Sequence, residues 1–197
     1  EGVIPNDYFV FWGYEDYILY DIAKKELTAL SQKNQPFNLT MLTVDPHHIG
    51  GYICPKCGND YKNQTANVIS CADRLLEDFI AWCQQQPFYE DTVIVIIGDH
   101  PRMDNNLTAG LSYEQRPVYN CFMNTDIVPQ GAVSNRTFTA MDIFPTVLAA
   151  LNYQMEGDRI GLGTNMFSGA QTLAEELGLK YLQEEIKKYS VYYERFY

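Results

Sequence analysis

Two clusters of carboxylate and imidazole side chains follow extended, apolar segments of this chain, and these are the side chains best suited to chemistry. Asp99 and His100 come directly after Gly98 and the largely β-branched run at 92–97, which predicts a strand buried on both faces. Ligands of open α/β sheets bind just outside the carboxyl ends of strands. Carboxylate and imidazole groups there favour a site for Mn²⁺, Zn²⁺ or a similar divalent ion. The alternative is an Asp that caps a helix beside an ordinary loop His.

The second cluster is Asp45, His47 and His48, at the end of a predicted strand over 37–44. If the two strands lie near each other in one sheet, both clusters share one edge of it. His47 or His48 would then contact a substrate oxyanion or protonate a leaving group. The alternative is a pair of loop histidines that hydrogen-bond to backbone.

Arg102 follows His100 closely and is a candidate for binding an anionic substrate group through its planar guanidinium. The alternative is an ordinary surface arginine, and Arg116 is a weaker candidate for the same role. No Ser or Cys lies in the sequence context of a nucleophile elbow. The residues present therefore identify no catalytic nucleophile.

Three of the five cysteines, Cys54, Cys57 and Cys71, lie close together in the sequence. The spacing of Cys54 and Cys57 is that of half a zinc knuckle, but structural zinc usually needs a second close pair. A disulfide from Cys71 to Cys57 or to Cys54 would instead tie the loop to the following helix. The disulfide is the favoured interpretation.

Helical and extended patterns alternate along the chain, and this alternation predicts an α/β sheet flanked by helices. Pro145 is expected in the first turn of the third helix, where its missing N–H costs least. The helices are predicted near 15–33, 66–86, 142–151 and 171–188, and the strands over 37–44, 92–97 and 116–124.

Length and charge exclude several classes of protein. The 197 residues suffice for one domain, and the formal net charge of −11 leaves no basic surface for nucleic acid. No apolar run approaches the roughly 20 residues of a membrane-spanning helix, and no signal peptide opens the sequence. Because residues 8–13 look like the interior of a domain, the sequence is expected to be a fragment of something longer.

Five segments resemble, in order, the signatures of the sulfatase-like phosphoglycerol transferases. That family includes lipoteichoic acid synthase and the periplasmic-glucan phosphoglycerol transferases, within the alkaline-phosphatase-like superfamily. Each segment alone is weak evidence, but five in the same order are specific and extend over nearly the whole chain. Pro46 and Gly50 depart from the family pattern, which has Thr and Asp there. The five segments are Trp12–Asp16, Thr43–Tyr52, Thr92–His100, Met141–Thr146 and Gly161–Ser168.

The resemblance implies an alkaline-phosphatase/sulfatase-like sheet flanked by helices that is incomplete in this sequence. Residues 1–197 would form the C-terminal portion of a single extracytoplasmic catalytic domain. The family's nucleophilic Thr, a metal-binding Glu and the N-terminal half of the domain are expected upstream. N-terminal membrane helices would anchor the protein at the extracytoplasmic face of the cell membrane.

The resemblance also implies roles for individual residues. Asp99 and His100 would be ligands of a catalytic divalent metal, with Mn²⁺ favoured and Mg²⁺, Ca²⁺ or Zn²⁺ as alternatives. His47 matches the family's substrate-contacting His. A disulfide between Cys57 and Cys71 is the pairing expected for the glucan-type branch.

The activity implied is metal-dependent transfer of phosphoglycerol from a phospholipid headgroup donor to a hydroxyl group of a glycan or polymer. Without the upstream nucleophile, the chain alone is expected to bind the ion weakly and to turn over nothing. The alternatives are a sulfatase or phosphodiesterase of the same superfamily, a zinc-knuckle binding module, and a noncatalytic remnant that packs against a partner chain.

Overall fold

The computed structural model describes residues 4–47 and 49–196, except for the side chain of Glu114. Helices and strands both occur, as the sequence predicts. In chain order the elements are α1 (Asp16–Ser31), α2 (Gln64–Gln84), β1 (Ile94–Ile97), β2 (Asn120–Met123), α3 (Ala140–Ala150), β3 (Arg159–Ile160), β4 (Gly163–Thr164), α4 (Leu173–Leu177) and α5 (Leu179–Ile186), with short 3₁₀ helices at Pro87–Asp91, Tyr113–Gln115 and Tyr193–Phe196.

The chain divides into two compact units. The first comprises the described residues of Glu1–Thr92 and His100–Val118, and the second those of Val93–Asp99 and Tyr119–Tyr197. Of the elements given above, the first unit contains α1 and α2, and the second contains β1 to β4 and α3 to α5. Among the described residues, no helix combines the length and the apolar character that crossing a bilayer requires.

In the first unit, α1 and α2 pack together through one apolar face of each helix. Tyr20, Ala23 and Leu27 recur at helical spacing on α1 and are buried. The ring of Tyr20 lies 4.9 Å from that of Phe79 on α2. Asn63 caps the start of α2 by accepting a backbone N–H of its first turn. Both predicted helices are confirmed, to within two residues at each end.

Residues 36–44 form no strand, so the strand predicted over 37–44 is wrong. A strand needs a hydrogen-bonded neighbour along its length, and here a side chain satisfies the end of the segment instead. The backbone N–H groups of Val44 and Asp45 donate to the carboxylate of Asp16 at 2.7 and 3.2 Å. The segment is therefore fixed to the start of α1.

In the second unit, β1 and β2 pair antiparallel, from Ile94 opposite Met123 to Ile97 opposite Asn120. The predicted strands are confirmed but shorter than expected. Burial on both faces of β1 is wrong for the structure described, since its first three residues are half-buried and Ile97 is 44% exposed. The reason is that β1 pairs antiparallel with β2, and an antiparallel ladder can face water on one side, whereas burial on both faces is typical of parallel sheets.

Helix α3 begins two residues before the predicted start, so Pro145 lies inside the helix rather than in its first turn. Proline has no N–H to donate to the carbonyl oxygen of Met141, one helical turn earlier. Gly163 of β4 approaches that oxygen so closely that a Cβ atom at this position would lie 1.9 Å from it. Glycine at 163 therefore lets β4 pack directly on the backbone of α3.

Residues 171–188 form two helices rather than the single helix predicted, so that prediction is wrong. Gly178 separates α4 from α5 with φ +83°, a conformation that glycine adopts readily. Helix α4 begins with a capping box, in which Thr172 and Glu175 each satisfy a backbone N–H of the other.

Candidate functional site

Asp99 and His100 follow β1 after one intervening residue, and both are exposed. The division between the two units falls between them, Asp99 belonging to the second unit and His100 to the first. In His100, Nδ1 lies 2.8 Å from the carbonyl oxygen of Pro101. Because a carbonyl oxygen only accepts, Nδ1 carries the proton and Nε2 is the nitrogen able to bind a cation. Metal-binding histidines commonly donate their other N–H in this way.

His47 is half-buried and lies against aromatic rings of the first unit. The centroid of its ring is 4.6 Å from that of Trp12 and 6.4 Å from that of Phe11. Phe11 in turn stacks on Tyr52 at 6.0 Å. Trp12 is 58% exposed, so the aromatic cluster of Phe11, Trp12, His47 and Tyr52 reaches the surface.

Arg102 connects the segment that follows His100 to the loop that carries His47. Its Nε and Nη2 donate to the carboxylate of Asp104 at 2.9 and 2.6 Å, and its Nη1 donates to the carbonyl oxygen of Pro46 at 3.3 Å. These hydrogen bonds use three of the five guanidinium N–H groups. Arg102 therefore braces one loop against the other, within the first unit.

Arg116, the weaker candidate, is buried and shapes the segment that contains Arg102. Its guanidinium donates to the carbonyl oxygens of Arg102, Asp104 and Leu111 and to the side-chain oxygen of Asn105. A buried cation surrounded by carbonyl oxygens holds a loop in shape. We assign Arg116 this structural role.

The structure brings the segments of His47, His100 and Arg102 together in the first unit. Asp99 is described with the second unit, and His48 lies outside the described residues. The metal ligation expected of Asp99 and His100 stays a prediction. The substrate contacts expected of His47, His48 and Arg102 also stay predictions.

Two buried carboxylates lie next to each other at the start of the loop that carries His47. Asp16 and Asp45 are 1% and 3% exposed, and the Asp45 carboxylate accepts the backbone N–H of Asp16 at 3.3 Å. Burial raises the pKa of both carboxyl groups, and the neighbouring charge of Asp16 helps to raise the pKa of Asp45 to about 6. Sequence reasoning missed this pairing because the two residues are 29 positions apart, without a shared local pattern.

Three sulfur atoms meet near the start of α2. The Sγ atoms of Cys54, Cys57 and Cys71 all lie within 4.8 Å of one another. The structure contains these cysteines as thiols, and the disulfide between Cys57 and Cys71 stays a prediction. Burial raises the pKa of the Cys54 and Cys71 thiols above the ordinary value for cysteine.

Comparisons with known proteins support the family resemblance found in the sequence. The family model described as Sulfatase matches residues 3–153. The chain is 33% identical over 174 residues to Phosphoglycerol transferase I of Xanthomonas axonopodis pv. citri (strain 306) and 36% identical over 171 residues to Phosphoglycerol transferase I of Salmonella choleraesuis (strain SC-B67). These alignments cover 85% and 83% of this chain, but 24% and 22% of the relatives. The chain thus spans about a quarter of the length of the curated relatives it matches.

A solved structure supports the fold. The crystal structure of a protein in the alkaline phosphatase superfamily from Vibrio parahaemolyticus matches with a TM-score of 0.60 and 22% sequence identity. The match covers 77% of this chain and 37% of that chain. At this identity the likeness concerns the fold alone, and it confirms the predicted α/β class of the alkaline phosphatase type.

Proposed function

Since the chain belongs to the sulfatase family, we propose that it supplies part of the site of a phosphoglycerol transferase that depends on a divalent metal. The donor is a phospholipid headgroup, and the acceptor is a hydroxyl group of a glycan or polymer. The likeness to Phosphoglycerol transferase I from two organisms favours this activity over others in the family. The proposal concerns the whole enzyme, to which this chain contributes residues.

The observation that carries the proposal is the hydrogen bond from Arg102 to the carbonyl oxygen of Pro46. Pro46 directly precedes His47, and Arg102 follows His100 by two residues. A second hydrogen bond, from the amide of Asn106 to Thr65 at 3.1 Å, holds the same segment to the start of α2. The two loops that carry the family's histidines are therefore held together by side chains of the first unit.

The donor groups at 99 and 100 suit a divalent cation. Asp99 offers a carboxylate, and His100 offers Nε2 because its Nδ1 proton is donated to Pro101. Oxygen and imidazole ligands accept Mn²⁺, which we favour, and they also accept Zn²⁺; Mg²⁺ and Ca²⁺ would rely more on oxygen. When bound, the ion would stabilise negative charge on a nucleophile and on phosphoryl oxygens.

His47 and Arg102 would act on the substrate. An imidazole N–H of His47 would donate to a phosphoryl or glycerol oxygen, and contact with Trp12 restricts the orientation of its ring. The guanidinium N–H groups of Arg102 that Asp104 and Pro46 do not use would bind an anionic oxygen. The nucleophile is expected upstream, so these residues bind and orient rather than attack.

The site would lie where a phospholipid headgroup is accessible, and from the resemblance we propose the extracytoplasmic face of the cell membrane. This location can be tested in intact cells. A protease or an impermeant label added outside the cytoplasmic membrane should reach the domain. Protection of the domain until that membrane is broken would contradict the location.

The activity is tested by release of diacylglycerol from labelled phosphatidylglycerol in the presence of Mn²⁺. This chain should be compared with a form extended upstream by about 200 residues, the size of one further domain. We expect turnover in the extended form alone, reduced about 100-fold or more by Asp99→Ala. Asp126→Ala replaces an exposed acid elsewhere in the second unit and is the matched control.

The products separate the proposal from its alternatives. Transfer of label to an added glycan or polymer supports the transferase, whereas transfer to water alone would indicate a phosphodiesterase. Cleavage of sulfate esters with no action on the lipid would indicate a sulfatase. Turnover by this chain alone, abolished by Asp99→Ala, would contradict the expectation that the nucleophile lies upstream.

A further inference from the structure

We propose that Cys54, Cys57 and Cys71 form a binding site for zinc, which ties the loop before α2 to that helix. The site uses residues of the first unit only. It is independent of the transferase proposal, because none of its ligands takes part in the proposed reaction.

The distances between the sulfur atoms match those of a zinc site. Cys54 Sγ lies 3.7 Å from Cys57 Sγ and 4.0 Å from Cys71 Sγ. Zinc binds thiolate sulfur at about 2.3 Å in tetrahedral geometry, which places two ligand sulfurs about 3.8 Å apart. Sulfurs joined in a disulfide are about 2.05 Å apart. The three side chains thus surround one point without any pair having closed to bonding distance.

The sequence positions two of the sulfurs in a tight turn. The backbone N–H of Cys57 donates to the carbonyl oxygen of Cys54 at 3.0 Å. The backbone N–H of Lys56 donates to the sulfur of Cys54. A backbone N–H directed at a sulfur stabilises the thiolate that a metal requires. This short segment therefore presents two sulfur atoms near each other, and a metal ion would displace their protons.

Helix α2 supplies the third sulfur and holds the loop on both sides of the turn. Asn67 of α2 accepts the N–H of Tyr61 at 2.7 Å and donates to its carbonyl oxygen at 2.8 Å. Before the turn, Gly51 packs on Val68 so closely that a Cβ atom would lie 2.8 Å from its side chain. Both sides of the loop are therefore fixed on α2, near Cys71. Because the loop is already ordered, binding of a metal ion would cost little conformational entropy.

The chemistry of the ligands selects the metal. Thiolates prefer zinc and softer ions, whereas Mn²⁺, Mg²⁺ and Ca²⁺ prefer oxygen ligands. Cys54 and Cys71 are each 2% exposed, so the ion would be shielded from bulk water on that side. The ion expected at Asp99 and His100 is held by oxygen and nitrogen, whereas the ion expected here is held by sulfur, so the two sites are distinguished by ligand type even where both hold zinc.

A cavity borders Cys71, one of the three proposed ligands. It has a volume of about 310 Å³ and is lined by Cys71 and by charged side chains of α2, including Glu77 and Asp78. We assign the fourth position to a water molecule in this cavity, because both carboxylates lie outside the group of mutually close ligand atoms. Binding one Zn²⁺ to three thiols would release their protons to solvent.

The test measures metal content and ligand type in protein purified without added metal or chelator. We expect one bound zinc per chain, measured by inductively coupled plasma mass spectrometry. Replacement by Co²⁺ should produce the thiolate-to-cobalt charge-transfer absorption and the visible bands of a tetrahedral ion. Neither readout requires turnover, and Asp99→Ala should leave both unchanged.

Cys57→Ser is the informative variant, because Cys57 is only half-buried and the substitution is the least disruptive of the three. Mutation of a residue that hydrogen-bonds to a metal ligand typically weakens metal binding by roughly 10- to 100-fold. Loss of a ligand itself should weaken zinc binding more than this, as measured by chelator competition. Cys121→Ser, at a half-buried cysteine in β2, is the matched control and should leave zinc affinity unchanged.

Two results would overturn the proposal. One is a disulfide between Cys57 and Cys71 found by peptide mapping after the thiols are trapped at lysis, which would confirm the sequence prediction instead. The other is reduced wild-type protein that takes up neither Zn²⁺ nor Co²⁺ at this site. Because the second result needs only the wild-type chain, failure of a variant to fold cannot obscure it.

Discussion

Each unit of this protein contains a carboxylate that fixes distant segments, but the two carboxylates have opposite surroundings. In the first unit, Asp45 is buried beside another acid, Asp16, and receives one backbone N–H from it. In the second unit, Glu175 receives a two-point ion pair from Arg136, with Nε···Oε1 and Nη2···Oε2 distances of 2.6 and 2.7 Å. Among the described residues no ion pair to Asp45 is found, whereas Glu175 has a bidentate guanidinium partner.

The difference appears in the pKa values. Burial and the charge of Asp16 raise the pKa of Asp45 to about 6, whereas the hydrogen bond from Arg136 lowers the pKa of Glu175 to about 2. The folded state therefore favours protonated Asp45 and ionised Glu175. Burial alone does not determine whether an ionised carboxylate stabilises the protein. The charge of the neighbouring group, an acid or a cation, determines it. The ion pair of the second unit joins two segments of the fold, whereas the acid pair of the first unit includes Asp45, two residues before His47.

Removal of the Arg136 side chain should have the largest effect on the free energy of unfolding. Arg136→Ala leaves Glu175 partly buried without its partner, and it also removes donors to the carbonyl oxygens of Ala132, Met166 and Ala170. We expect a loss of about 3–5 kcal/mol in the free energy of unfolding, as for other broken buried pairs. Urea unfolding at neutral pH measures it.

The double variant Arg136→Met with Glu175→Leu is the control for this prediction. It removes both charges while keeping apolar volume, so it should recover most of the lost stability. If the double variant were as unstable as Arg136→Ala, the carbonyl contacts of Arg136 would outweigh its ion pair, and the contrast between the two units would rest on the wrong interaction.

Neutralising Glu175 should have the next largest effect, and it should depend on pH. Its pKa is lowered from 4.5 to about 2, so its contribution to stability is fully present above pH 4.5 and is lost as the pH falls towards 2. Glu175→Gln should therefore cost about 2 kcal/mol at neutral pH and little near pH 2. Urea unfolding of both proteins across this range measures the difference, and a cost that stays constant with pH would contradict the ionic interpretation.

Neutralising Asp45 should have the opposite effect and stabilise the protein at neutral pH. Its pKa is raised from 3.8 to about 6, so its favourable contribution is fully present below pH 3.8 and is lost as the pH rises through 6. Asp45→Asn removes a charge that is disfavoured by burial and by the neighbouring Asp16, so it should stabilise the protein by about 1 kcal/mol at neutral pH, with no gain near pH 4. Thermal unfolding at these two pH values measures it.

Asp73→Asn, an exposed acid on α2, is the matched control for Asp45→Asn. It should change stability little at either pH. Equal stabilisation by both substitutions would mean that the net negative charge of the whole protein, rather than the contact between Asp16 and Asp45, is responsible.

The helices could be predicted from the sequence because their signals are local. Tyr20, Ala23 and Leu27 recur at helical spacing, and Thr172 with Glu175 has the spacing of a capping box, although the start of α4 was not predicted from it. The strand over 37–44 could not be predicted correctly, because strand formation depends on a neighbour distant in sequence. The close approach of Gly163 to the carbonyl oxygen of Met141 in α3 likewise joins residues that are distant in sequence.

The candidate site could be predicted only in part, for the same reason. A strand followed by Asp99 and His100 is a local pattern, and the structure has it. Contacts across long separations have no such signal. Arg102 reaches Pro46 over 56 residues, and Arg136 reaches Glu175 over 39. The family signatures give the order of the segments along the chain, but they do not predict these long-range hydrogen bonds.

The smallest expected effect tests whether exposure, rather than charge, separates strong pairs from weak ones. Arg74 and Asp60 in the first unit are also of opposite charge, but their closest atoms are 3.7 Å apart and their side chains are 46% and 66% exposed. Water and salt screen such a pair, and ordering two long side chains offsets much of its attraction. Arg74→Ala should therefore change the free energy of unfolding by less than about 0.5 kcal/mol. Urea unfolding at low and high salt measures it, with Arg74→Lys as the control that keeps the charge. A loss comparable to that of Arg136→Ala would show that partial burial and two-point geometry are not what make the pair of the second unit strong, because Arg74 has neither.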